Sequence, residues 1–351
     1  MEFVSVSNFD RRVSRIGLGT WAIGGLMWGG SDDETSVQTI LRAFELGINL
    51  IDTAAVYGLG RAEEIVGKAI NEYGARAQII VATKAGLECM NGNVRRNSTR
   101  ERIIREVDDS LRRLQTDYID IHQIHWPDPL VPIQETAEAM QQLYYQGKIR
   151  AIGVSNYSIE QMNLFRAAAP LHTAQPPYNL FEREIEQEVL PFCRRLGIIT
   201  LVYGALCRGL LSGKMRPDTR FVGDDVRKVD PKFQLPRYAQ YLEAVEGLDR
   251  FAQENYGKRV IHLAVRWLLD QPGVGVALWG ARRPDQLDAV EGVMDWSIDD
   301  AARSAIDKMI GEIVRDPVGP EFLAPPSRKT PGGKLQSDRE PIRPGHADVD
   351  R

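Results

Sequence analysis

The sequence predicts an α/β fold in which one chain forms a closed barrel of eight parallel strands. Eight short apolar segments of strand length alternate with amphipathic helical patterns, and strands that are separated by helices run parallel to one another. Eight such units favour a closed barrel over an open sheet, because closure leaves no edge strand unpaired. The expected fold class is therefore a single (β/α)8 TIM barrel with long loops after its strands and a proline- and glycine-rich C-terminal tail.

The strands are predicted from apolar runs that lie between turn signals. Their expected ranges are 13–20, 49–53, 78–84, 118–125, 151–154, 173–175, 198–203 and 273–279. Apolar residues at helical spacing predict the helices. The first is expected to begin at a capping box of Ser31 and Glu34 and to end at Gly47. The others are expected at 62–71, 99–114 (capped by Ser98 and Glu101), 133–146, 159–167, 184–196, 237–254, 260–270 and 298–313.

The barrel is expected to occupy residues 1–316, and a tail to occupy residues 317–351. The proline, glycine and charged residues of the tail cannot bury a core of their own, and Phe322 and Leu323 are its first sizeable apolar anchors. Three arrangements stay open for it: a disordered tail, an arm laid on its own barrel, or an arm that reaches a neighbouring subunit and forms a homo-oligomer.

Composition narrows the classes of partner and the expected compartment. A net charge of −4 and a pI near 5.9 give no reason to expect a nucleic acid or an anionic membrane surface, and no apolar run is long enough to span a bilayer. Three widely spaced cysteines, Cys89, Cys193 and Cys207, fit reduced thiols better than a disulfide framework. A cytoplasmic protein with a small-molecule substrate is therefore expected.

Four proton-handling groups follow three successive strands. The second predicted strand delivers Asp52 and the loop after it carries Tyr57, while the third strand ends in Lys84 and the fourth in His125. Reactive groups of an α/β barrel lie at the carboxyl ends of its strands, so these four side chains should meet at one face. Alternation along a strand places His125 on the lumen side.

This set fits acid–base chemistry on a carbonyl or an alcohol. The Lys84 ammonium is expected to lower the pKa of Tyr57, and Asp52 is expected to keep Lys84 charged. His125 can orient a carbonyl oxygen or relay its proton. The alternative is that these residues have purely structural roles: Asp52 and Lys84 as a buried ion pair, Tyr57 as part of a wall, and His125 as a hydrogen-bonded core residue. Such a role fits any one of the four, but it explains less well why all four follow three successive strands.

Two other kinds of site are disfavoured. His122 and His125 would face opposite sides of their strand and have no further histidine nearby, so no metal site is expected. A serine-hydrolase site would need a Gly-x-Ser-x-Gly elbow, which does not occur near these residues.

The motifs in these positions resemble those of the aldo-keto reductase superfamily, over about residues 13–313. The resemblance is carried by GLGTW at 17–21, DTAAVYG at 52–58, TK at 83–84, DYID at 117–120, HWP at 125–127 and GKIRAIGVSN at 147–156. Within the superfamily, WAIGG at 21–25 and YGALCRG at 203–209 are most similar to bacterial reductases of sugar and polyol aldehydes.

The resemblance implies a barrel that binds NADP(H) without a Rossmann domain, with Tyr57 as general acid, Lys84 and Asp52 tuning it, and His125 orienting the carbonyl. It places the carboxamide of the cofactor on Ser155, Asn156 and Gln175, the nicotinamide ring on Tyr203, and a phosphate on Arg208. The full set of matching cofactor positions is Thr20, Trp21, Asp52, Ser155, Asn156, Gln175, Tyr203, Gly204, Leu206, Arg208, Gly280, Ala281, Arg282 and Gln286.

Cofactor preference and substrate are less specific implications of this resemblance. Arginines at 282–283 suit the 2′-phosphate of NADPH, but Gly280 and Gln286 stand where many relatives carry a lysine and an arginine, and Val290 where an asparagine often holds the adenine. Use of NADH therefore stays open. The expected substrate pocket, for a sugar or polyol aldehyde, consists of Trp21, Trp28, Tyr57, His125 and Trp126.

Two alternative functions share the same site. One is a non-enzymatic, NADP(H)-binding redox-sensing subunit that serves a regulatory partner. The other is a polyol or sugar dehydrogenase that works in the oxidative direction.

Overall fold

The computed structural model describes residues 1–6, 9 and 11–328. Its strands are β1 Phe3–Ser5, β2 Arg12–Ser14, β3 Ile16–Gly19, β4 Leu50–Asp52, β5 Ile80–Ala85, β6 Leu87–Met90, β7 Asn93–Arg96, β8 Ile121–Ile124, β9 Ile152–Ser155, β10 Thr173–Gln175, β11 Ile199–Val202 and β12 Val274–Gly280. Among these described residues, eight parallel strands close a barrel in the order β3, β4, β5, β8, β9, β10, β11, β12, with β12 paired to β3. The predicted barrel is confirmed.

Helices surround the barrel on its outside. Their bounds are α1 Asp33–Glu45, α2 Arg61–Tyr73, α3 Arg100–Leu114, α4 Ile133–Tyr145, α5 Ile159–Ala168, α6 Val189–Arg195, α7 Arg237–Tyr256, α8 Val260–Leu269 and α9 Asp300–Ile313. The predicted helix 184–196 is instead a 3₁₀ turn, Glu184–Glu186, followed by the short α6. Pro191 has no N–H to donate to the preceding turn, so it fits only the start of a helix.

Two separate apolar cores support the barrel. A small buried cluster that includes Leu50, Ile121 and Leu201 fills the lumen, and a larger cluster that includes Ile124 packs between the strands and the helices. Because Ile121 and Ile124 belong to different clusters, the residues of β8 alternate between the lumen and the outside.

The helix caps differ from those predicted. Asp32 caps α1, since its side chain accepts a hydrogen bond from the Thr35 N–H at 2.8 Å, whereas the Ser31 hydroxyl donates to the Ile23 carbonyl. Helix α3 begins after Thr99 with no side-chain cap, because the Ser98 hydroxyl is buried as a tertiary acceptor. Both serine hydroxyls are therefore bonded to residues outside the helices that they were expected to cap.

Two hairpins were not predicted. The antiparallel pair β1–β2 adds Val4, Val6 and Val13 to the lumen cluster and so lies against the amino-terminal end of the barrel. The pair β6–β7 follows directly on the strand that carries Lys84. Their strands are only three or four residues long, which is too short to give a period-two signal.

The described part of the tail is an arm laid on its own barrel. The Lys232 ammonium donates to the carbonyls of Val318 and Gly319. The Arg96 side chain and backbone N–H donate to the carbonyls of Pro325 and Pro326. Arg328 forms an ion pair with Asp128 at 3.0 Å. This favours the second of the three arrangements for residues 317–328. Residues 329–351 of the predicted tail lie outside the described residues.

Candidate active site

Asp52 and Lys84 form an ion pair inside the mouth of the barrel. The Lys84 Nζ lies 2.7 Å from the Asp52 Oδ2, and the two side chains are 0% and 5% exposed. The Nζ also donates to the Thr53 carbonyl at 2.9 Å, and the other Asp52 oxygen accepts from the Gln175 Nε2 at 2.7 Å. The pair therefore has the additional hydrogen bonds that a buried ion pair needs.

The loop after β4 brings the Tyr57 hydroxyl to this pair. The Lys84 Nζ lies 3.4 Å from the Tyr57 Oη. The loop turns sharply because Gly58 has a positive φ of 59°, which glycine adopts without a steric penalty. The Tyr57 ring stacks near Trp21, with centroids 6.3 Å apart, and meets His125 edge-on at 5.6 Å. The structure thus brings the four predicted catalytic residues together.

The pKa shifts of these groups differ from the expectation: burial lowers the pKa of Lys84, although the Asp52 carboxylate opposes that shift. Burial and the Asp52 carboxylate raise the pKa of Tyr57 well above its usual value, so the expected lowering by Lys84 is wrong: the cost of burying a phenolate is larger. Burial and the Lys84 charge lower the pKa of His125 well below its usual value. At neutral pH Tyr57 is therefore a phenol and His125 a neutral imidazole.

The predicted carboxamide-binding residues form one network with this group. The Asn156 Nδ2 donates to the His125 carbonyl and to the Ser155 Oγ, both at 3.0 Å. The Ser155 hydroxyl donates to the Gln175 carbonyl at 2.8 Å, and the Tyr203 hydroxyl donates to the Asn156 Oδ1 at 2.9 Å. These amide and hydroxyl groups are therefore connected through Gln175 to Asp52 and through Asn156 to the backbone of His125, and groups of this kind can donate to and accept from a carboxamide.

Two loops at the mouth position the residues that flank this network. Thr20 is held by its N–H and its hydroxyl, which donate to the Asp52 carbonyl at 2.9 and 3.0 Å, and it is followed by Trp21. After β11 the chain turns at Gly204, whose φ is 73°, and the Leu206 carbonyl accepts from two N–H groups of the same turn. Both loops therefore have fixed backbones.

Arg208 lies in a buried ion-pair network rather than at an open surface. Its guanidinium pairs with Glu182 at 2.7 Å and with Asp230, and Glu182 also pairs with Lys232 at 2.8 Å. Both carboxylates and Lys232 are almost fully buried. The network joins the loop after β11 to the arm, because Lys232 also holds the carbonyls of Val318 and Gly319. A phosphate contact from Arg208 stays a prediction.

Replacing Lys232 by methionine is expected to destabilise the protein by about 3 kcal/mol, because it removes one cation from buried Glu182, and to release the arm. Equilibrium unfolding by denaturant measures the first effect, and the rate of limited proteolysis within residues 317–328 measures the second. The matched control is Lys228→Met, since this lysine is exposed and donates to the Gly223 carbonyl. Equal proteolysis rates for both variants would contradict the anchoring role.

The strand end after β12 carries the predicted adenosine-side residues. Gly280 is exposed with open space where a side chain would stand, and Ala281 is buried. The Gln286 Oε1 accepts from the Arg282 N–H at 2.9 Å, so Gln286 stabilises this turn. The Arg282 guanidinium donates to the Trp28 carbonyl at 2.7 Å, which brings it towards the glycine-rich loop after β3.

The loop after β11 also contacts that glycine-rich loop directly. The Asp224 carboxylate accepts from the Met27 N–H at 2.6 Å and from the Gly29 N–H at 3.0 Å. The Arg227 guanidinium lies 5.2 Å from the centre of the Trp28 ring. The contacts of Asp224 with Met27 and Gly29 therefore form a bridge between the two loops across the mouth. Arg227 and Arg282 lie beside this bridge, next to Trp28.

The predicted substrate residues lie around this opening. Trp21 and Trp28 meet edge-on with centroids 5.2 Å apart, and the Trp126 ring lies 5.2 Å from the Arg96 guanidinium. The arm contributes Phe322, whose ring lies 5.5 Å from the Arg208 guanidinium. Trp21 and Trp28 therefore extend the aromatic surface beside Tyr57, and an arginine lies next to each of the Trp28, Trp126 and Phe322 rings.

Several residues at the mouth had no role in the sequence prediction. These are Arg96, Glu182, Asp224, Arg227 and Lys232. All five lie outside every predicted strand and helix, where a charge usually indicates a solvated loop. The available signal was the concentration of charged residues within 212–236, which does not identify their partners.

The described residues contain no group of three or more metal-ligating side chains that could hold an ion. A membrane-spanning helix was also sought in the described part of the chain, and none of its helices combines the necessary length and hydrophobicity.

Comparison with known proteins identifies the family. The model of the aldo/keto reductase family matches residues 15–310. The chain is 60% identical to aldo-keto reductase YhdN of Bacillus subtilis, over 94% of this chain and 99% of the relative, and 34% identical to the NADH-specific methylglyoxal reductase of Escherichia coli, over 90% and 100%. The solved structure of the glycerol dehydrogenase AKR11B4 from Gluconobacter oxydans matches with a TM-score of 0.83 and 50% identity, over 92% of this chain and 99% of that chain. This protein therefore belongs to the aldo/keto reductase family, whose members are oxidoreductases of small carbonyl compounds.

Proposed function

We propose that this protein reduces a hydroxylated aldehyde to an alcohol with NADPH, and that Tyr57 is the general acid. The observation that carries the proposal is the 3.4 Å contact between the Tyr57 hydroxyl and the Lys84 ammonium, which is itself paired with Asp52. A bound reduced nicotinamide would supply the hydride for the carbonyl carbon. Tyr57 donates its proton to the carbonyl oxygen, and the nearby lysine charge stabilises the phenolate that remains.

His125 assists as a neutral hydrogen-bonding group. Its lowered pKa keeps the imidazole uncharged, so it donates a hydrogen bond to the carbonyl oxygen without delivering a competing proton. Its edge-on contact with the Tyr57 ring places both groups on one side of the mouth. Tyr57 and His125 therefore polarise the same oxygen.

Ser155, Asn156 and Gln175 would hold the carboxamide, and Tyr203 would support the nicotinamide ring. Arg227 and Arg282 at the bridge, with Arg283 beyond them, would bind phosphates, including a 2′-phosphate. A relative at 34% identity is described as NADH-specific, so both cofactors belong in the test. The aromatic mouth suits the C–H faces of a short polyol chain.

The oxidative direction is the second candidate, and the 50% identity to a glycerol dehydrogenase favours it. Microscopic reversibility gives the same residues the reverse roles, with Tyr57 as the base. The redox-sensing subunit stays a hypothesis, to which the complete set of four proton-handling residues gives no support.

A substrate panel tests the proposal. Short hydroxyaldehydes, methylglyoxal, sugar aldehydes and simple alkyl aldehydes are each supplied with NADPH and with NADH, and glycerol and related polyols with NADP⁺ and NAD⁺. The proposal expects the largest kcat/KM for a hydroxylated aldehyde with NADPH. Tight cofactor binding without turnover of any member would refute it and support the regulatory alternative.

A further inference from the structure

The turn after β5 connects three of the catalytic side chains. Lys84 lies just before it, and the Ala85 carbonyl accepts a hydrogen bond from the His125 N–H at 2.9 Å. The Lys84 carbonyl accepts another from the Ala55 N–H at 3.4 Å, in the loop that leads to Tyr57. A shift of this turn would therefore change the positions of Lys84, His125 and Tyr57 relative to one another.

Two side chains of α3 hold the turn from outside the barrel. The Glu106 Oε2 accepts from the Gly86 N–H at 2.9 Å. The Arg102 Nη2 donates to the Leu87 carbonyl at 3.2 Å and to the Glu106 Oε1 at 3.0 Å. Glu106 is only 3% exposed, although burying a carboxylate is costly unless it is paired and hydrogen-bonded. Its partners are the turn and the arginine that holds the same turn.

We propose that Glu106 is a positioning residue for the reaction: together with Arg102 it fixes the turn 85–87 and thereby the distance between Lys84 and Tyr57. Glu106 contacts the backbone that carries the reacting groups, not the groups themselves. The inference rests on the proposed reductase function. It predicts that kcat changes when Glu106 gains or loses its negative charge.

The surroundings of Glu106 allow that charge to change near neutral pH. Burial raises the pKa of Glu106 to about 7, with Arg102 and the Gly86 N–H acting against it and Glu63 of α2 adding to it. Glu63 is itself paired with Arg113 at 2.7 Å.

Other charged groups that reach α3 contact it elsewhere. From α4, Glu135 accepts from the N–H of the first residue of α3, and the nearby Lys148 pairs with Asp108. Burial brings the pKa of Glu106 to about 7, whereas Tyr57, with its raised pKa, and His125, with its lowered pKa, do not change protonation state near neutral pH. The ionised form pairs more strongly with Arg102, so kcat should rise with pH through about 7.

Glu106→Gln tests the proposal, because the amide keeps a carbonyl acceptor for the Gly86 N–H but cannot carry the charge. We expect its kcat at pH 8 to fall about 10-fold, as sub-ångström misplacement of a catalytic group can cause, with cofactor Kd within about twofold of wild type. Its kcat should be flat between pH 6 and 8. Glu106→Leu, which removes the acceptor too, should lose more activity than Glu106→Gln.

The matched control is Glu101→Gln, since Glu101 lies on the same helix and is paired with Arg105 at the same spacing but exposed; it should behave as wild type. Wild-type kcat in Glu106→Gln, or reduced stability with an unchanged pH profile, would overturn the positioning role. If the wild-type protein reduces no aldehyde, the proposed function fails separately. Crystal structures then decide the inference: a Lys84 Nζ to Tyr57 Oη distance longer in Glu106→Gln than in wild type supports it, and an unchanged distance overturns it.

Discussion

Replacing Tyr57 by phenylalanine is expected to lower kcat for aldehyde reduction by about 1,000-fold, within the range that a positioned general acid contributes. The hydroxyl is the group that Lys84 approaches at 3.4 Å, and phenylalanine removes it while keeping the ring that packs against Trp21 and His125. Cofactor affinity and the unfolding midpoint should therefore change little. The loss of absorbance of the reduced nicotinamide measures turnover, and fluorescence quenching measures cofactor binding.

Tyr73→Phe provides the control for this substitution. Tyr73 is the last residue of α2, is 40% exposed and packs on Phe44, so losing its hydroxyl should leave kcat unchanged. If Tyr57→Phe retains the kcat of the control, the proton comes from another donor and the assignment of Tyr57 fails. Loss of cofactor binding together with turnover would instead indicate a structural effect.

The strand ends that carry the site could be predicted because their signals are local. Asp52, Lys84 and His125 each follow an apolar run of strand length, and a parallel barrel brings such ends to one face whatever its loops do. The predicted neighbours Ser155, Asn156 and Gln175 follow the same rule, at the ends of β9 and β10. The family resemblance, rather than the strand pattern, assigned these three residues to the site, and their hydrogen bonds to one another were not predicted.

The pKa of Tyr57 could not be predicted in the same way. The sequence places a lysine near a tyrosine, but the direction of the shift depends on how completely both are buried and on the opposing Asp52 charge. Burial is a property of the packed loops after β3 and β4. A phenol with a raised pKa is protonated at neutral pH and so carries the proton that a general acid donates, but it is a weaker acid than the phenol with a lowered pKa that was expected.

Long-range charge pairs were the other part that the sequence did not indicate. Glu182 in the loop after β10 and Arg208, Asp230 and Lys232 in the loop after β11 bury their charges against one another. A charged residue in a loop is usually solvated, so nothing in its own neighbourhood in the sequence predicts an internal partner. The same reason hid the role of Lys232 in holding the arm.

The backbone contact that sets the position of Tyr57 should be as sensitive as its hydroxyl. Gly58 has a φ of 59°, and a Cβ added there would lie 2.3 Å from the Gly24 carbonyl oxygen, which belongs to the backbone and cannot rotate away. Gly58→Ala is expected to cost about 2 kcal/mol of stability from the left-handed backbone and the collision. It should also lower kcat about 100-fold by moving the preceding tyrosine about 1 Å from Lys84.

Gly74→Ala separates these two effects. Gly74 ends α2 with a φ of 73°, and a Cβ there would meet open space, so alanine brings the backbone strain without the collision and far from Tyr57 in the chain. This control should lose about 1 kcal/mol of stability and keep the wild-type kcat. A Gly58→Ala protein with wild-type kcat would show that the contact between Gly24 and Gly58 does not position Tyr57. A fall in kcat that appears only at Gly58 would show that two glycines in different loops, packed backbone to backbone, hold the proton donor at its lysine.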